Sequence, residues 1–577
     1  MTDAEAILAS LNPAQREAAT ATRGPVAILA GAGTGKTTTI THRIAYQVAS
    51  GAFPAPKILA VTFTEKAAGE LKARLGALGV EGVEARTFHA AALSQLSRLW
   101  ERYTGTPVGK VLDSKAPLIS SLANALPAPH RFIPRRDLAT EIEWAKNRMV
   151  PPEHYLDEID ATDHTPPIPG PLMERVYAGY ERRKQATGRF DFEDMLGRAI
   201  RLFDEHPDAV KEVRERFHAF TVDEYQDVNP LQQAVLDRWL GGRDELCVVG
   251  DDYQTIYGFT GASPSYLLGF AERFPGARIV RLESNYRSTP EVLAVANGLT
   301  ERLGGFRKEL RATRPSGPPH VMKPVKGEPE EAAFVVDELR GLHEAEGVPY
   351  EEIAILYRIN ARSERFEEAL ADAKIPFQVR DGSFLRRPGP RAVLADLRRA
   401  NEAPVADEVD RITSQLGFDP DAQPDSEEEV TRQSDLARLR ALAREFGESH
   451  PRAGAAGFLD ELARRFSAER EGRGVNLMTF HRAKGLEFDA VFLPRLLDGE
   501  LPFRSGRSRA PVEEERRLLY VGITRAKRFL YLTWPRATRA GRTPFLDEIE
   551  PRASGPKPAA VPTAEHATVR KLRIGRP

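Results

Sequence analysis

A short apolar run followed by a glycine-rich turn, at residues 24–38 (GPVAILAGAGTGKTT), constrains the fold of this chain more than any other segment. Residues 26–29 are typical of a buried strand, and the turn after them ends in Gly-Lys-Thr. The backbone N–H groups of such a turn can cradle phosphates, while Lys36 reaches the outer phosphates and the Thr37 hydroxyl holds Mg²⁺. The segment predicts a strand, a phosphate-binding loop and a helix in an α/β domain.

This loop departs from the strict pattern at one position, because Ala30 stands where the first glycine usually lies. Alanine tolerates most loop geometries, so the departure is mild. A dinucleotide-binding G-x-G-x-x-G pattern fails, since Lys36 occupies its sixth position. We expect these residues to contact the nucleotide: Ala30, Gly31, Ala32, Gly33, Thr34, Gly35, Lys36, Thr37 and Thr38.

A second apolar run ends in two adjacent carboxylates at residues 222–227 (VDEYQD). Asp223 is suited to hold Mg²⁺, and Glu224 is suited to polarise an attacking water. Adjacent residues of a strand point to opposite faces, so we expect the strand to end and the backbone to turn at this pair. Together with the phosphate loop, the pair predicts nucleotide hydrolysis.

Eight short apolar runs separated by helical patterns predict two parallel-sheet α/β domains. A length of 577 residues also favours several domains. The runs are residues 26–29, 58–61, 220–222, 246–249, 354–357, 475–479, 490–493 and 529–533. Two long helix-like stretches, 91–189 and 386–473, interrupt them and are predicted to be helical insertions.

These patterns divide the chain into seven predicted segments. The first α/β domain comprises 1–90 and 190–278 around the insertion 91–189, the second comprises 279–385 and 474–548 around the insertion 386–473, and 549–577 is a basic tail predicted to be disordered.

Composition limits the remaining functional classes. Lysine and arginine (82) nearly balance aspartate and glutamate (83), so contacts with nucleic acid would need local basic patches. The single Cys247 excludes disulfide frameworks and cysteine-rich metal sites. No apolar run is long enough to span a membrane, and the N-terminus is unlike a signal peptide. We therefore expect a cytoplasmic protein without a membrane partner.

Ten motifs occur in an order that resembles the UvrD/Rep/PcrA-type superfamily I DNA helicases, over almost the whole chain. The motifs are LNPAQREA (11–18), AGAGTGKT (30–37), VTFTEKAAGEL (61–71), ARTFHA (85–90), DFEDML (191–196), VDEYQD (222–227), VVGDDYQTIYGFTGA (248–262), LESNYRST (282–289), LMTFHRAKGLEF (477–488) and EEERRLLYVGITRAK (513–527).

The resemblance implies two RecA-like domains that use ATP and Mg²⁺, and it implies a role for individual residues. Gln15 would read the adenine and Tyr286 would stack on it. Gln254 would sense the γ-phosphate and Glu487 would approach the nucleotide. From the second domain, Arg287 and Arg525 would contact the γ-phosphate. With Lys36, Asp223 and Glu224, the residues Gln254, Arg287 and Arg525 form the predicted catalytic set.

The resemblance also implies a single-stranded DNA site that depends on aromatic stacking, which tolerates any base sequence. Its predicted residues are Thr62, Phe63, Phe88, His89, Phe192, Tyr257 and Phe259. Core packing is an alternative for Phe63 and Phe88, because a phenylalanine near a strand end is often buried. A structural role is an alternative for His89.

Three phrases, ARTFHAAAL, TIYGFTGA and LLYVGITRAK, resemble the second UvrD-like paralogue of actinobacteria more than UvrD itself. Because the sequence has one cysteine and a short tail, we expect it to lack the four-cysteine element and the HRDC-type domain of that paralogue. The second insertion is about half the length usual in the family.

The leading hypothesis is an ATP-dependent helicase that moves 3′ to 5′ on single-stranded DNA, unwinds 3′-tailed duplexes and acts in repair or recombination. A second hypothesis is a DNA-stimulated ATPase that displaces proteins but unwinds poorly alone. The third, a catalytically silent DNA-binding protein, is disfavoured by the intact catalytic set. We expect a monomer or weak dimer, and the sequence does not identify loading or repair partners.

Overall fold

The computed structural model describes residues 4–128, 130–380, 382–399, 404–451, 453–466, 472–506, 508–536 and 540–549. The predicted disordered tail, 549–577, lies outside the described residues except for its first position.

The first α/β unit is built on a six-stranded parallel sheet with the order β3-β2-β4-β5-β1-β6. Its strands are β1 (Val26–Ala30), β2 (Ile58–Thr62), β3 (Glu84–Thr87), β4 (Ala219–Val222), β5 (Leu246–Gly250) and β6 (Arg278–Leu282). Alternate residues of the central strands pack into hydrophobic layers on opposite faces, as in a sheet covered by helices on both sides.

The second unit has another six-stranded parallel sheet, with the order β7-β12-β11-β8-β10-β9. Its strands are β7 (Val321–Val325), β8 (Ile353–Tyr357), β9 (Phe377–Val379), β10 (Val475–Thr479), β11 (Phe488–Leu493) and β12 (Ala526–Pro535). The prediction of two parallel-sheet α/β domains is confirmed.

The eight predicted apolar runs all lie in strands, whereas β3, β6, β7 and β9 were not predicted. All four are the outermost strands of their sheets, and they carry exposed or half-exposed residues that break the apolar pattern. Because β6 pairs with β1, the first sheet extends to Leu282, past the predicted boundary between residues 278 and 279.

Helices cover both sheets. In the first unit they are Ala4–Leu8, Pro13–Thr20, Lys36–Ala49, Glu65–Ala77, Phe88–Thr104, Phe192–Glu205, Pro207–Arg216, Pro230–Leu240, Ser265–Leu268 and Phe270–Arg273. In the second they are Pro290–Thr300, Glu328–Glu346, Ser363–Asp372, Val512–Ile523 and Phe545–Ile549.

Each stretch predicted to be a helical insertion follows an outermost strand, the first after β3 and the second after β9. The first contains helices Ala116–Ala123, Arg135–Asn147, Tyr155–Thr162 and Gly170–Ala186, and the second contains Pro388–Leu397, Val405–Gln415, Glu427–Ser449 and Ala455–Arg465. Each has a hydrophobic core of its own. One strand of two residues, Lys110–Val111, also lies in the first stretch, where no strand was predicted.

The second helical stretch contacts both the second sheet and the first helical stretch. Arg358, at the end of β8, forms ion pairs with Glu427 (2.5 Å) and Glu515 (2.7 Å). The Ser426 hydroxyl donates a hydrogen bond of 2.5 Å to Asp137 of the first stretch. Among the described residues, no helix is both long and apolar enough to cross a membrane.

Candidate nucleotide and DNA sites

Most of the predicted site residues lie along one edge of the first sheet, where the carboxyl ends of its parallel strands meet. Glu487 and Arg525 belong to the second unit. Nucleotide candidates follow β1, β4, β5 and β6. Among the DNA candidates, Thr62 ends β2 and Phe88 begins the helix after β3, whereas Tyr257 and Phe259 follow β5, a few residues after Gln254. The segment after β5 therefore carries candidates of both groups.

The phosphate loop is shaped by close contacts with the segment that follows β6. Gly33 has a φ of +68°, and a Cβ there would lie 2.6 Å from Asn285 Nδ2 and 2.8 Å from Arg287 Cβ. A Cβ on Gly31 would lie 2.4 Å from Leu310 Cδ2. Asn285 Nδ2 also donates a hydrogen bond of 2.7 Å to the Ala32 carbonyl. Glycine is needed here for contact with another part of the chain as well as for the turn.

Ala30 occupies a different position from the other loop residues. It is the last residue of β1 and is fully buried. Because the backbone is still extended there, the position does not need glycine, and the small alanine side chain fits. The N–H of Gly31 still donates to Leu282 of β6. The loop proper runs through Gly35, which has a φ of +80° and precedes helix Lys36–Ala49. Thr37 and Thr38 lie in the first turn of that helix, where free N–H groups favour an anion.

The two acidic residues after β4 face the phosphate loop together. The strand ends at Val222, and Glu224 has a φ of +50°, a left-handed conformation that is uncommon outside glycine. This turn confirms the expectation that the backbone changes direction at the pair. Lys36 Nζ lies 3.1 Å from Glu224 Oε1.

Burial and mutual repulsion separate the pKa values of this pair. Burial, reinforced by the charge of Glu224, raises the pKa of Asp223 to about 7. Burial also acts to raise the pKa of Glu224, but Lys36 and then Lys484 lower it to about 2. Glu224 is therefore the ionised partner near neutral pH and can accept a hydrogen bond from an attacking water.

Thr37 and Asp223 offer a hydroxyl and a carboxylate, oxygen ligands of the kind that Mg²⁺ prefers. Among the described residues, one group of three carboxylates has metal-ligand spacing, and it lies elsewhere, at Glu181, Asp191 and Asp194. There, Lys146 Nζ already contacts all three carboxylates, at 2.6 to 3.0 Å. That cluster is neutralised by an ammonium group and needs no metal.

Arg525 approaches the nucleotide candidates from the second unit. It directly precedes β12, is 1% exposed, and its guanidinium donates to neutral acceptors that include the carbonyls of Val521 (2.9 Å) and Leu486 (3.0 Å). Burial, followed by repulsion from Arg287, lowers the pKa of Arg525 to about 9. A guanidinium held in this way by neutral groups is suited to meet an anionic phosphate.

Arg287 and Glu487 lie beside Arg525 and pair with each other at 2.7 Å. Arg287 also donates to the carbonyl of Thr524, the residue before Arg525. The structure thus brings both predicted arginines and Glu487 together, although Arg287 and Arg525 are separated by more than two hundred residues in the chain.

Gln254 connects the two units. Its Nε2 donates to Asp251 Oδ2 at 2.8 Å, and its Oε1 lies 3.4 Å from Arg525 Nη2. Lys484 of the second unit donates to the Gln254 carbonyl at 2.7 Å and also pairs with Asp227. The loop after β5 is therefore held by side chains from both units.

Gln15 and Tyr286 lie next to the phosphate loop. Gln15 Nε2 donates to the Thr34 carbonyl at 3.1 Å, and Gln15 also completes a capping box with Asn12. Asn12 Nδ2 contacts the Tyr286 hydroxyl at 2.7 Å. The Tyr286 ring is 47% exposed and is free to stack on a planar ligand. The adenine roles of Gln15 and Tyr286 remain predictions.

Tyr257, Phe259 and His481 form an aromatic cluster at the junction of the two units. Phe259 is 45% exposed, and its ring packs edge-on against Tyr257 (6.0 Å) and His481 (5.7 Å). Lys484 Nζ lies 4.9 Å from the Tyr257 ring centroid. The same lysine thus contacts both the Gln254 loop and a predicted DNA-binding residue.

The other predicted DNA residues differ in accessibility. Phe192 is 52% exposed and packs edge-on against His89, whose pKa is lowered to about 4 by burial and then by Lys115. Thr62 is buried at the end of β2, and Phe63 is half-buried. These roles remain predictions.

Phe88 requires a correction. It is 1% exposed, and its ring stacks at 6.0 Å and 7° on Trp239 within the core of the first unit. A ring covered in this way offers no face to a base, so we remove Phe88 from the candidate DNA site. The alternative of core packing is the one that the structure supports.

Sequence comparison places these features in a known family. The sequence model of the UvrD/REP helicase N-terminal domain matches residues 11–275, and that of the UvrD-like helicase C-terminal domain matches 280–412 and 403–537. The chain belongs to the UvrD/Rep helicase family.

Relatives within this helicase family cover most of the chain. It is 44% identical to the ATP-dependent DNA helicase UvrD2 of Mycobacterium tuberculosis, over 95% of this chain and 82% of the relative. Identity to UvrD1 of the same organism is 30%, over 96% of this chain and 88% of the relative. Identity to PcrA of Bacillus subtilis is 31%, over 91% and 83% respectively. The predicted resemblance to the second UvrD-like paralogue is confirmed.

Several residues of this helicase site were not singled out from the sequence. Gln226 donates to Glu224 at 2.5 Å and accepts the Asp251 N–H at 2.9 Å. Gln226, Asn285, His481 and Lys484 all lie inside the predicted motifs, so motif membership was the available signal. Each also contacts a residue of another motif or segment, and the motif letters do not specify that partner.

Proposed function

We propose that this chain is an ATP-dependent DNA helicase that moves 3′ to 5′ on single-stranded DNA, separates duplex strands, and acts in DNA repair or recombination. Its membership of the UvrD/Rep family and the names of its relatives support the activity. The polarity and the biological role rest on the family resemblance.

The observation that carries the proposal is the contact between Gln254 of the first unit and Arg525 of the second. In the proposed reaction, the phosphate loop and Lys36 bind the phosphates, and Glu224 orients the attacking water and accepts its proton. Arg525 and Arg287 stabilise the charge that develops on the transferred phosphoryl group. ATP binding therefore favours closure of the two units. Hydrolysis weakens the contact that the γ-phosphate makes with Arg525 and Arg287 of the second unit.

Thr37 and Asp223 would hold Mg²⁺. When bound, this ion would neutralise phosphate charge during the reaction. A cation also favours the ionised form of Asp223, whose pKa is otherwise raised by burial and by Glu224.

Movement along DNA would follow from the loop after β5. Gln254 contacts the nucleotide side, while Tyr257 and Phe259, a few residues later, present rings to the proposed DNA path. Closure of the units around ATP would shift these rings relative to a stacked base. Helical stretches 91–189 and 386–473 would flank that path, as insertions into two RecA-like domains.

Tailed duplexes test this function. The parent protein with ATP and Mg²⁺ should separate a duplex with a 3′ single-stranded tail and leave a 5′-tailed duplex intact, at one stated salt concentration. Lys36→Ala should abolish both ATP turnover and strand separation. Unwinding from the 5′ tail would refute the polarity, and unchanged turnover in Lys36→Ala would refute the phosphate-loop assignment.

A second candidate function is a single-stranded-DNA-stimulated ATPase that displaces proteins and unwinds poorly alone. The alignment with UvrD1 extends over 681 positions although this chain has 577 residues, so part of that relative has no counterpart here. ATP turnover stimulated by single strands, with displacement of a bound protein but no strand separation, would favour this candidate.

A further inference from the structure

Lys308 lies outside every recognised motif, yet it reaches the nucleotide site from the second unit. It belongs to the segment between helix Pro290–Thr300 and the short strand Arg311–Ala312. Its Nζ lies 2.8 Å from Asp251 Oδ1, contacts Asp252 Oδ1, and stands 4.1 Å from the ring centroid of Tyr253. The side chains of Lys308, Asp251 and Asp252 are each at most 1% exposed.

A charged group buried in this way is stable only when an opposite charge lies beside it. Burial would raise the pKa of Asp251, but Lys308, followed by Lys36, lowers it below its ordinary value. Burial would lower the pKa of Lys308, but Asp251 and Asp252 raise it. Asp251 and Lys308 are therefore both charged at neutral pH.

Asp251 in turn orients Gln254. An ionised carboxylate can only accept hydrogen bonds, so the amide of Gln254 must present Nε2 to Asp251 Oδ2, at 2.8 Å. The amide oxygen then faces Arg525 Nη2, which can only donate, at 3.4 Å. A neutral Asp251 could donate a proton and would permit the reversed amide.

We propose that Lys308 is a positioning residue for ATP hydrolysis, which holds the Asp251 carboxylate and thereby fixes the amide of Gln254 with its oxygen toward Arg525. This inference rests on the proposed function, because it assigns Lys308 to the same reaction. It also gives the second unit a contact with the Gln254 loop that is independent of Lys484.

The segment around Lys308 is built to hold this contact. The N–H of Phe306 donates to Asp252 Oδ2 at 3.0 Å, and a Cβ on Gly305 would lie 2.2 Å from the same oxygen. Residues 305–308 therefore pack closely against Asp252, and the Lys308 side chain also reaches Asp251. Both carboxylates are buried, so the ammonium group of Lys308 takes the place that solvent would have beside an exposed carboxylate.

Steady-state ATP turnover with saturating oligo-dT tests the inference. Lys308→Met should lower kcat about 10- to 100-fold with KM for ATP changed less than about threefold, because the phosphate loop still binds ATP while the transition-state contacts are misplaced. Lys308→Arg should recover most of kcat, since it restores the cation.

A double-mutant cycle separates positioning from a general structural role. If Lys308 acts through Gln254, Lys308→Met combined with Gln254→Ala should be no slower than Gln254→Ala alone. Additive losses would overturn the inference, as would a parent-like kcat in Lys308→Met.

Lys184→Met is the matched control for loss of a buried lysine, because Lys184 is 2% exposed and pairs with Glu181 and Asp191 in a different part of the chain. It should lower the unfolding midpoint while its kcat stays within about threefold of the parent. An equal loss of kcat in Lys184→Met would overturn the specific role of Lys308.

If Lys308→Met does not fold, Lys308→Gln replaces it in the same cycle, since it keeps a hydrogen bond and loses the charge. A parent-like kcat in folded Lys308→Gln would overturn the inference. The proposed function is tested separately, with the parent protein. If the parent shows no DNA-stimulated ATP turnover, the proposed function is refuted. If the parent turns over ATP and the Lys308 variant is equally active, only this inference is refuted.

Discussion

Gly33 shows how one residue can serve both a turn and a contact between units. Its left-handed φ and the nearness of Asn285 and Arg287 each exclude a side chain. Gly24 offers a matched comparison, because it has a φ of +73° but nothing lies within 4 Å of a Cβ placed there.

We predict that Gly24→Ala and Gly33→Ala both lose about 1–2 kcal/mol of unfolding free energy, since alanine is strained in the left-handed region. Only Gly33→Ala should also lose ATP turnover, by about 100-fold, because its Cβ displaces Asn285 and Arg287. Chemical denaturation and ATPase assays measure the two effects. Equal turnover in the two variants would contradict the proposed contact.

His481 gives a prediction about pH. Burial, followed by Arg358, lowers its pKa to about 4, against about 6.5 for a free histidine. The unfolded chain therefore binds a proton that the folded chain rejects, so stability is complete above about pH 6.5 and falls as the pH drops toward 4. His481→Gln should reduce the slope of unfolding free energy between pH 7 and 5. An unchanged slope would show that His481 is not the titrating group.

Two helices that begin with phenylalanine illustrate the difference between core and surface at the scale of the element. Phe88 begins helix Phe88–Thr104 and is buried on Trp239, whereas Phe192 begins helix Phe192–Glu205 and is 52% exposed. The sequence pattern is similar at both places, and the environment decides the role.

We predict that Phe88→Ala lowers the unfolding free energy by about 3–5 kcal/mol, because it leaves a cavity in the core. Phe192→Ala should change stability little and should weaken single-strand affinity by about 1–3 kcal/mol, the value of one stacked base. Fluorescence anisotropy with a labelled oligo-dT measures affinity. Parent-like affinity in Phe192→Ala would remove it from the DNA site.

The elements that were predictable from sequence are those whose environment is uniform along the strand. Strands β1, β2, β4 and β5 are buried on both faces, so their apolar runs identify them. The outermost strand β3 alternates between buried and half-exposed residues over only four positions, which is too short and too polar to be distinguished from a loop. The turn at Glu224 was predictable because two adjacent carboxylates cannot both face one site from a regular strand.

At the scale of the whole molecule, the second helical stretch is anchored by buried charge. Arg358 and Glu515 have side chains that are 5% and 3% exposed, and Glu427 at the start of helix Glu427–Ser449 completes the group. Removal of the cation would leave two carboxylates without compensation.

We predict that Arg358→Met lowers the unfolding free energy by about 3–5 kcal/mol. Arg444→Met removes an ion pair with Asp410 whose arginine is 58% exposed, and it should cost at most about 1 kcal/mol. Chemical denaturation of the two variants measures the difference. Similar losses would indicate that the Arg358 group does not anchor the helix.

The candidate site was predictable as a set of motifs but not as a set of contacts. Lys36, Asp223 and Glu224 were identified from the chemistry of the phosphate loop and of the paired carboxylates, and Arg525 from the resemblance to a family. Lys308 was not, because a lone lysine in the segment FRKEL carries no signal, and its carboxylate partners lie more than fifty residues earlier in the chain. Such pairs become apparent only when the two sheets are assembled.

Both helical stretches are inserted at the rim of a sheet, that is, directly after an outermost strand: one after β3 and the other after β9. A segment spliced in at a rim breaks no hydrogen bonds between central strands, so its length can change without disturbing the catalytic edge. For protein engineering, these two rims are the places where foreign modules could be grafted.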